Sequence, residues 1–274
     1  MKCAKHKMTN NQSVKYHDKV AKVYDDNFDK ADDDKKCEIV LAIEWSRIEK
    51  YLPKEKSMIL DAGGGTGEFS VALAKKGHAV VLTDLSKGML EVAAKKIQNL
   101  GLNDKIKVLQ QDITSMKNLQ SSSFDFVIAV GDPVSYCLKE QKAIDELARV
   151  AKQGACVLIT VDSYFRQLVR LLKIGKLSEV EKLEKTGNSV FPFDYSQHNF
   201  RVDELKKMFG KSGLEVVEVF GLLNIVDKIS HEQRVKLLNN KETFDMLMKL
   251  EMKYASEPSI IGMASHIGIV GRKK

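Results

Sequence analysis

The sequence predicts an α/β protein built on a mostly parallel β-sheet with helices on both faces. Short apolar runs alternate with segments of helical periodicity over residues 58–163, a rhythm typical of a parallel sheet covered on both sides. A glycine-rich loop joins the first apolar run to the first of these helices. An acidic residue, Asp84, ends the second run, at the sheet edge where parallel α/β proteins bind ligands.

The alternation indicates where each element should lie. Strands are predicted over residues 58–60, 79–82, 106–109, 124–130 and 155–161, with helices over 68–76, 89–100 and 139–152 between them. Gly101 and Gly154 follow two of these helices. Because glycine readily adopts the left-handed conformation of a helix C-terminus, we expect these two residues to end the helices.

The flanking segments have other patterns. The opening 50 residues read as helices, with Leu41, Trp45, Ile48 and Leu52 on one helix face and Pro53 as the terminator. Beyond residue 163 the sequence predicts helices over 164–174 and 202–211, strands over 214–220 and 265–270, an irregular stretch over 187–200 and a charged, partly helical segment over 230–254.

Composition describes an ordinary globular protein. Of 274 residues, 43% are hydrophobic and 30% charged, which suffices for a core. The net charge is +7, but the lysines are scattered and form no compact basic block, so nucleic acid is not the expected partner. No apolar run reaches membrane-spanning length and the N-terminus lacks a signal peptide, which favours a cytoplasmic protein. The four cysteines, Cys3, Cys37, Cys137 and Cys156, lack metal-ligand spacing and are expected to be reduced thiols.

The strongest motif is Asp61-Ala62-Gly63-Gly64-Gly65-Thr66-Gly67, between a predicted strand and helix. A phosphate-binding Walker loop would end in Gly-Lys-Ser/Thr, which is absent. A dinucleotide site would place its third glycine at position 68, which is Glu68. The spacing here is G-x-G-x-G instead. So many glycines indicate a close approach of backbone to ligand.

This loop resembles motif I of class I S-adenosylmethionine-dependent methyltransferases, of the small-molecule, type 11/25-like group. The resemblance implies a Rossmann-like, seven-stranded sheet of order 3-2-1-4-5-7-6 whose last strand is antiparallel. It implies one domain over residues 1–274, with an N-terminal helical cap over 1–52, a cofactor-binding core over 58–163, and substrate-side insertions over 164–200 and 222–258. The cofactor would be S-adenosylmethionine, with S-adenosylhomocysteine as the product.

Cofactor contacts follow from the same resemblance. Asp84 can accept hydrogen bonds from both ribose hydroxyls, and Asp112 would accept one from the adenine amino group. Tyr24 would lie in a helix that folds over the cofactor. The full expected set is Tyr24, Asp61, Ala62, Gly63, Gly65, Gly67, Asp84, Leu85, Met89, Asp112, Ile113 and Val130. For Met89, the helical spacing also fits plain core.

No catalytic residue is fixed by the sequence, but Asp132, Tyr136 and His198 are candidates. Asp132 could orient an amine or cap a helix; the Asp132-Pro133 pair resembles the D-P-P-Y motif of amino-methylating DNA enzymes, and the match breaks at Val134. His198 could face the substrate or make a backbone contact at a helix entry. Two further acceptor-side candidates are Tyr16 and Tyr164. His266 is expected to be a core or interface histidine, and no metal site is expected.

The sequence therefore predicts transfer of a methyl group to oxygen or nitrogen of a small molecule, by in-line displacement at the sulfonium. An RNA or protein methyltransferase is the alternative, which the basic charge favours. A non-catalytic, cofactor-binding regulator on the same fold also stays open. We expect a monomer or homodimer with no membrane partner.

Overall fold

The computed structural model describes residues 11–25, 35–190 and 195–274. Its helices are α1 Asn11–Val20, α2 Lys36–Tyr51, α3 Glu68–Lys75, α4 Lys87–Asn99, α5 Pro133–Tyr136, α6 Glu140–Val150, α7 Tyr164–Lys173, α8 Leu177–Thr186, α9 Val202–Lys211, α10 His231–Leu238, α11 Lys241–Tyr254 and α12 Pro258–Ile261. Short 3-10 turns follow α1 at Ala21–Val23 and precede α10 at Val226–Lys228. In the described ranges, no helix is both long and apolar enough to cross a bilayer.

The strands are β1 Met58–Ala62, β2 Ala79–Asp84, β3 Ile106–Gln110, β4 Phe124–Ala129, β5 Ala151–Asp162, β6 Asn188–Val190, β7 Ser196–His198, β8 Leu214–Leu222 and β9 His266–Lys273. Seven of them form one sheet of order β3-β2-β1-β4-β5-β9-β8. β9 is antiparallel to both of its neighbours, whereas the pairs from β3 through β5 are parallel. The predicted fold class and strand order are confirmed.

The central strands are buried because helices cover both faces of the sheet. Ile59, Phe126 and Ile128 pack on the face covered by α2, α3, α4 and α11. Leu60 and Val127 point to the opposite face, where α6 and α9 supply the other half of the core. Alternate residues of a strand face opposite sides, so strands buried on both sides read as continuous apolar runs.

The start of β5 differs from the prediction. The preceding helix, α6, ends at Val150, and β5 begins at once with Ala151, rather than at residue 155. Gly154 lies inside the strand with φ of +77° and does not end the helix. Phe124 of β4 pairs with Ala151 of β5, and Phe126 pairs with Cys156. Between these two pairs β5 is longer than β4, so the left-handed Gly154 lies in an irregular insertion at the start of β5.

The buried face of α2 is also rotated from the predicted stripe. Ile39, Ile43 and Ile48 are fully buried, whereas Leu41 and Trp45 are only partly covered. Leu41 lines a cavity rather than the core. The helix packs between the sheet and α11, so two of its faces carry apolar residues, and spacing alone does not show which face is inside.

The segment from 222 to 258 supports α2. Glu251 of α11 is fully buried and accepts hydrogen bonds from the backbone N–H groups of Asn224, Ile225 and Val226 at 2.9, 2.9 and 2.7 Å. These three bonds satisfy the turn that leaves β8. Leu247 of the same helix belongs to the apolar cluster of α2, so this insertion builds structure behind the cavity.

Candidate active site

A cavity of about 750 Å³ lies at the carboxyl ends of β1, β2, β3 and β4, beneath α1 and α2. That volume is in the range of small-molecule sites. Its lining includes three predicted loop and strand-end residues, Gly63, Gly65 and Asp84. The N-terminal helices contribute Val14, His17, Tyr24, Leu41 and Glu44.

The glycine loop bends sharply between β1 and α3. Gly63, Gly65 and Gly67 have φ of +75°, +54° and +84°, a region that side chains other than glycine rarely adopt. The N–H groups of Gly63 and Gly64 donate to Thr83 O at 2.7 and 3.1 Å, which fastens the loop to β2. Around Gly65 no atom would come within 4 Å of an added Cβ, so its backbone faces open cavity.

Asp61 shapes the loop from behind. It is 1% exposed and accepts a hydrogen bond from Ser70 Oγ of α3 at 2.6 Å. Burial, partly offset by that hydrogen bond, raises the pKa of Asp61 to about 6. The cavity lining includes neither Asp61 nor Ala62 nor Gly67. These three residues therefore hold the loop's shape, while Gly63 and Gly65 form its exposed surface.

Asp84 presents its carboxylate to the cavity at the end of β2. Oδ2 accepts from Gly65 N at 3.0 Å, and Oδ1 accepts from Ser86 N at 2.8 Å. Burial raises the pKa of Asp84, and the two backbone hydrogen bonds oppose that rise. The carboxylate is thereby fixed in orientation, and each oxygen retains lone-pair capacity for a ligand hydroxyl.

The other predicted contacts on this side also line the cavity. Leu85, Met89, Asp112, Ile113 and Val130 are all part of its wall. Asp112 Oδ1 accepts from both the N–H and the hydroxyl of Thr114 at 2.8 Å, which sets the direction of the carboxylate. Met89 is 1% exposed and lies on the apolar side of the cavity wall. It therefore belongs both to the core and to the wall.

Two aspartates hold the N-terminal segment, residues 11–25, over this cavity through hydrogen bonds and an ion pair. Asp18 of α1 accepts from Ser86 Oγ at 2.6 Å and from Gly88 N at 2.9 Å. Asp25 accepts from Thr66 Oγ1 at 2.6 Å and lies 2.7 Å from Lys96 Nζ. The segment is thus attached both to the glycine loop and to the start of α4.

A second group of titratable side chains lies beyond the glycine loop. Asp132 follows β4 with a left-handed φ of +64°, and its Oδ2 lies 2.7 Å from His266 Nδ1. Asp162 Oδ1, at the end of β5, lies 3.9 Å from the same nitrogen. The contact between Asp132 and His266 is within ion-pair distance, although the Nδ1–H bond of His266 does not point at Asp132 Oδ2. All three residues offer ligand-type atoms within 4.8 Å of one another, a grouping the sequence did not indicate.

Burial and mutual repulsion shift the protonation of this group. Burial, followed by the charge of Asp132, raises the pKa of Asp162, and the same two causes raise the pKa of Glu44 to about 8. Burial alone would lower the pKa of His266, but Asp132 and Asp162 outweigh it and raise the pKa to about 9. At neutral pH the imidazole is therefore a cation beside Asp132.

Aromatic rings enclose the same region. The rings of Tyr136 and Tyr195 have centroids 5.5 Å apart, and His17 lies 6.1 and 5.9 Å from them. Tyr16 is 5.3 Å from Tyr195. After burial, the charges of Asp132 and Asp84 raise the pKa of Tyr24 to about 12, and all three residues line the cavity.

Three predicted acceptor-side residues, Tyr16, His198 and Tyr164, lie outside the cavity lining. Tyr16 packs against Tyr195. His198 contacts Asn188 Oδ1 with Nδ1 at 2.8 Å and Glu204 Oε1 with Nε2 at 2.9 Å. These contacts attach the β6–β7 hairpin to α9, so His198 has a structural role. Tyr164 bonds to Glu184 of α8 and lies beneath Arg201. Its surroundings are likewise those of a packed helix pair.

His266 is the residue that sequence reasoning missed. The sequence indicated a core or interface histidine, but the side chain lines the cavity beside Asp132. β9 pairs with β5 so that His266 is opposite Asp162. Only the register of these distant strands brings the two together, so no local motif could show it. His17 and Glu44 also line the cavity without a motif around them.

The cover of the cavity differs from the expected one. Among described residues of the two expected substrate-side insertions, 164–190, 195–200 and 222–258, none belongs to the cavity lining. Tyr195 of the first insertion packs behind Tyr136, and the second packs on α2. The wall opposite the sheet comes from α1, α2 and the residues Tyr24 and Asp25, because Asp18 and Asp25 hold residues 11–25 over the strand ends.

The strand order, the glycine loop and the acid at the end of β2 together define the architecture of the class I methyltransferases. A family described as a methyltransferase domain matches residues 59–154. The match includes the glycine loop, Asp84 and Asp132. Residues 59–154 are accordingly a methyltransferase domain with this architecture, and the protein is an S-adenosylmethionine-dependent methyltransferase enzyme.

Known proteins that resemble the chain act on different acceptors. The tRNA 5-carboxymethoxyuridine methyltransferase of Escherichia coli (strain K12) is 23% identical over 247 residues, 85% of this chain and 87% of that protein. The ubiquinone/menaquinone biosynthesis C-methyltransferase UbiE of Haemophilus ducreyi is 28% identical over 65% of this chain and 73% of its own length. An S-adenosylmethionine-dependent methyltransferase of Methanosarcina mazei superposes with a TM-score of 0.59 at 21% identity, over 83% of this chain and 96% of that one.

Proposed function

We propose that the cavity binds S-adenosylmethionine with its methionine end on the glycine loop and its ribose on Asp84. The open space at Gly65 leaves backbone accessible to a ligand, and Asp84 offers a fixed carboxylate to vicinal hydroxyls. The adenine would lie between Leu85, Met89 and Ile113, with Asp112 at its amino group. Val130 and Tyr24 would border the sulfonium. Asp61, Ala62 and Gly67 would act by shaping the loop.

The acceptor in this proposal is a small molecule. The cavity continues past the glycine loop to Asp132, Tyr136 and His266, and α1 and aromatic rings close it from above. A bound S-adenosylmethionine supplies an electrophilic methyl group on its sulfonium. The chain's own contribution is then to position the acceptor and to exclude water, which can lower a barrier by several kcal/mol. The observation that carries this proposal is that the cavity extends beneath α1 from the glycine loop to Asp132, Tyr136 and His266.

RNA is the second candidate acceptor. The relative that acts on a tRNA covers 85% of this chain, and the net charge is +7. An RNA acceptor would have to reach Asp132 beneath α1, so this segment would have to move away. Binding would then weaken steeply with salt.

A methylation assay on a fractionated cell extract separates the two. Small-molecule, RNA and protein fractions are each incubated with the enzyme and methyl-labelled S-adenosylmethionine. We expect label in the small-molecule fraction. Label that appears only in RNA and is released by ribonuclease would contradict the small-molecule assignment and support RNA.

A further inference from the structure

Glu44, Asp132 and His266 line the acceptor end of the cavity, and Asp162 lies beside His266 behind this wall. We call Glu44, Asp132, Asp162 and His266 the acidic cluster. Glu44 lines the cavity from α2, and the other three come from the ends of β4, β5 and β9. One imidazolium ion can neutralise the charge of only one carboxylate. The cluster therefore has more acidic groups than basic ones. The charge of Asp132 reaches both other carboxyl groups and raises their pKa values, after burial.

Two buried oxygens of the cluster have no hydrogen-bond donor among the described residues. Asp132 is 5% exposed and Asp162 is 2% exposed, yet Asp132 Oδ1 and Asp162 Oδ2 are unpartnered. Buried polar atoms are nearly always hydrogen-bonded, and an unmet one costs about 1–3 kcal/mol. Asp132 lines the cavity, so its Oδ1 has the capacity to accept from a ligand that carries N–H donors, whereas Asp162 interacts with the Tyr136 hydroxyl.

Two arginines of α7 already act on Asp162. Arg166 and Arg170 both interact with its charge, and Arg166 Nε also lies 3.7 Å from Asp227 Oδ2. Burial and the charge of Asp132 raise the pKa values of Glu44 and Asp162. A cationic ligand beside these carboxyl groups would lower their pKa values and release protons.

The surrounding walls distinguish between kinds of cation. Tyr24, Tyr136 and His17 line the same cavity as Asp132 and His266, and the His17 ring lies 6.4 Å from Tyr24 and 6.1 Å from Tyr136; we call these three rings the aromatic wall. A hard divalent ion requires about six oxygen ligands, including water, in close contact. An organic ammonium ion instead gains from ring faces and from a few carboxylates. The mixture of rings and three carboxyl groups fits the organic cation.

We propose that the methyl acceptor is a small organic amine, held as its ammonium ion by the acidic cluster and the aromatic wall and deprotonated there. This proposal rests on the proposed function. A carboxylate of the cluster takes one proton from the ammonium group. The nitrogen lone pair then forms a bond to the methyl carbon, while the C–S bond breaks and its electrons remain on sulfur. The proton passes to water when the methylated amine leaves.

The chemical class of the acceptor is tested by separating the small molecules of the extract according to their charge. The small-molecule fraction of the extract is separated at pH 7 into cationic, neutral and anionic pools, and each pool is offered with methyl-labelled S-adenosylmethionine. We expect label in the cationic pool. Label confined to the neutral or anionic pool would overturn the amine while leaving the proposed function intact. If no pool is labelled although S-adenosylhomocysteine binds, the amine and the small-molecule acceptor both fail, while the cofactor site stands.

A binding experiment tests whether residues of the acidic cluster hold the amine. Benzylamine, benzyl alcohol, phenylacetate and MgCl2 are titrated into the S-adenosylhomocysteine complex, in two buffers of different ionisation enthalpy. We expect benzylamine alone to bind, with release of protons at pH 7. Glu44→Gln and Asp132→Asn should each weaken it at least about tenfold, since each removes a charged contact. Asparagine tolerates the left-handed backbone at position 132, and Glu49→Gln, on the exposed side of α2, is the matched control.

Three binding results would overturn the amine assignment. One is equal or tighter binding of the neutral or anionic probe, or no binding of benzylamine. A second is Mg²⁺ binding that Asp132→Asn abolishes, which would make the cluster a metal site. The third is loss of affinity for S-adenosylmethionine but not for S-adenosylhomocysteine in Glu44→Gln, which would assign the cluster to the sulfonium.

Discussion

Gly64 has no room for a side chain. A Cβ there would lie 2.4 Å from Leu82 Cδ1 and 2.5 Å from Asp61 Cγ, and Asp61 is held by Ser70 behind the loop. An alanine would have to displace β2 or the carboxylate. The narrowness of the loop at this position explains why glycine is needed here independently of any ligand contact.

Gly64→Ala should therefore lower both stability and cofactor affinity. We expect a loss of about 1–3 kcal/mol in unfolding free energy, as for other overpacked sites, and at least about tenfold weaker binding of S-adenosylhomocysteine. Gly101→Ala is the control: it has positive φ but no atom within 4 Å of the added Cβ, so only stability should fall. Denaturant unfolding and ligand titration measure the two effects. Unchanged affinity in Gly64→Ala would contradict this view of the loop.

Single residues were predictable where a local pattern marks them. Asp84 follows a β-rich run and the glycines interrupt a strand-to-helix junction, so both could be read from neighbouring sequence. Glu44 and His266 have no such marker. Glu44 lies in a helix of mixed apolar faces, and His266 reaches Asp132 only through the pairing of β9 with β5. Residues that are brought together only by strands far apart in the sequence cannot be recognised from the sequence around each of them.

The N-terminal segment acts as a cover because two aspartates attach it. Asp18 spans from α1 to the start of α4, with hydrogen bonds to Ser86 and Gly88. Its side chain is exposed, so these bonds are accessible to solvent. The cover is thus held by contacts of modest strength, which suits a segment that must open for ligand exchange.

Asp18→Ala should make this cover open more readily. Loss of two hydrogen bonds to a carboxylate should speed dissociation of S-adenosylhomocysteine by roughly 3- to 30-fold, from about 0.5–2 kcal/mol of lost attachment. The association rate should change little. Stopped-flow displacement measures the rate, and Lys19→Ala, at the next exposed position, is the control. An unchanged dissociation rate would show that α1 does not hold the ligand in.

Whole elements were predicted best where they are long or continuously apolar. α9 has the predicted bounds, and β1 to β4 agree within two residues at each end. The β6–β7 hairpin and α8 were not predicted as such, because the hairpin strands have three residues each and the helix follows a glycine without an apolar stripe. The β5 boundary failed since Gly154 resembles a helix terminator while occupying a strand irregularity.

For the whole molecule, the acidic cluster links stability to pH. The pKa values of Glu44, Asp162 and His266 are all raised on folding, so the folded state binds more protons than the unfolded state. Stability must then fall as pH rises. The contribution of Glu44 is present below about 4.5 and lost through about 8, and that of His266 is present below 6.5 and lost through about 9. The charged and titratable groups that act on them from the surrounding elements are Asp132, Tyr136, Arg166, Arg170 and Tyr195.

We expect the unfolding free energy of the ligand-free enzyme to decline between pH 5.5 and 8.5, by at most about 1.4 kcal/mol per pH unit for each proton. Glu44→Gln should flatten this decline, because glutamine cannot ionise. Urea unfolding at several pH values measures it, with Glu49→Gln as the exposed control. Parallel declines in wild type and Glu44→Gln would be inconsistent with a buried, protonated Glu44.

The most direct test of the central claim is calorimetric titration of the purified enzyme with S-adenosylmethionine, S-adenosylhomocysteine and NAD. Both adenosyl ligands should bind at micromolar concentration and NAD should not. Asp84→Ala should lose about 1.5–3 kcal/mol of binding energy, whereas Asp104→Ala, an exposed acid outside the cavity, should lose none. If neither adenosyl ligand bound, or if the two variants behaved alike, the assignment of this cavity to S-adenosylmethionine would be wrong.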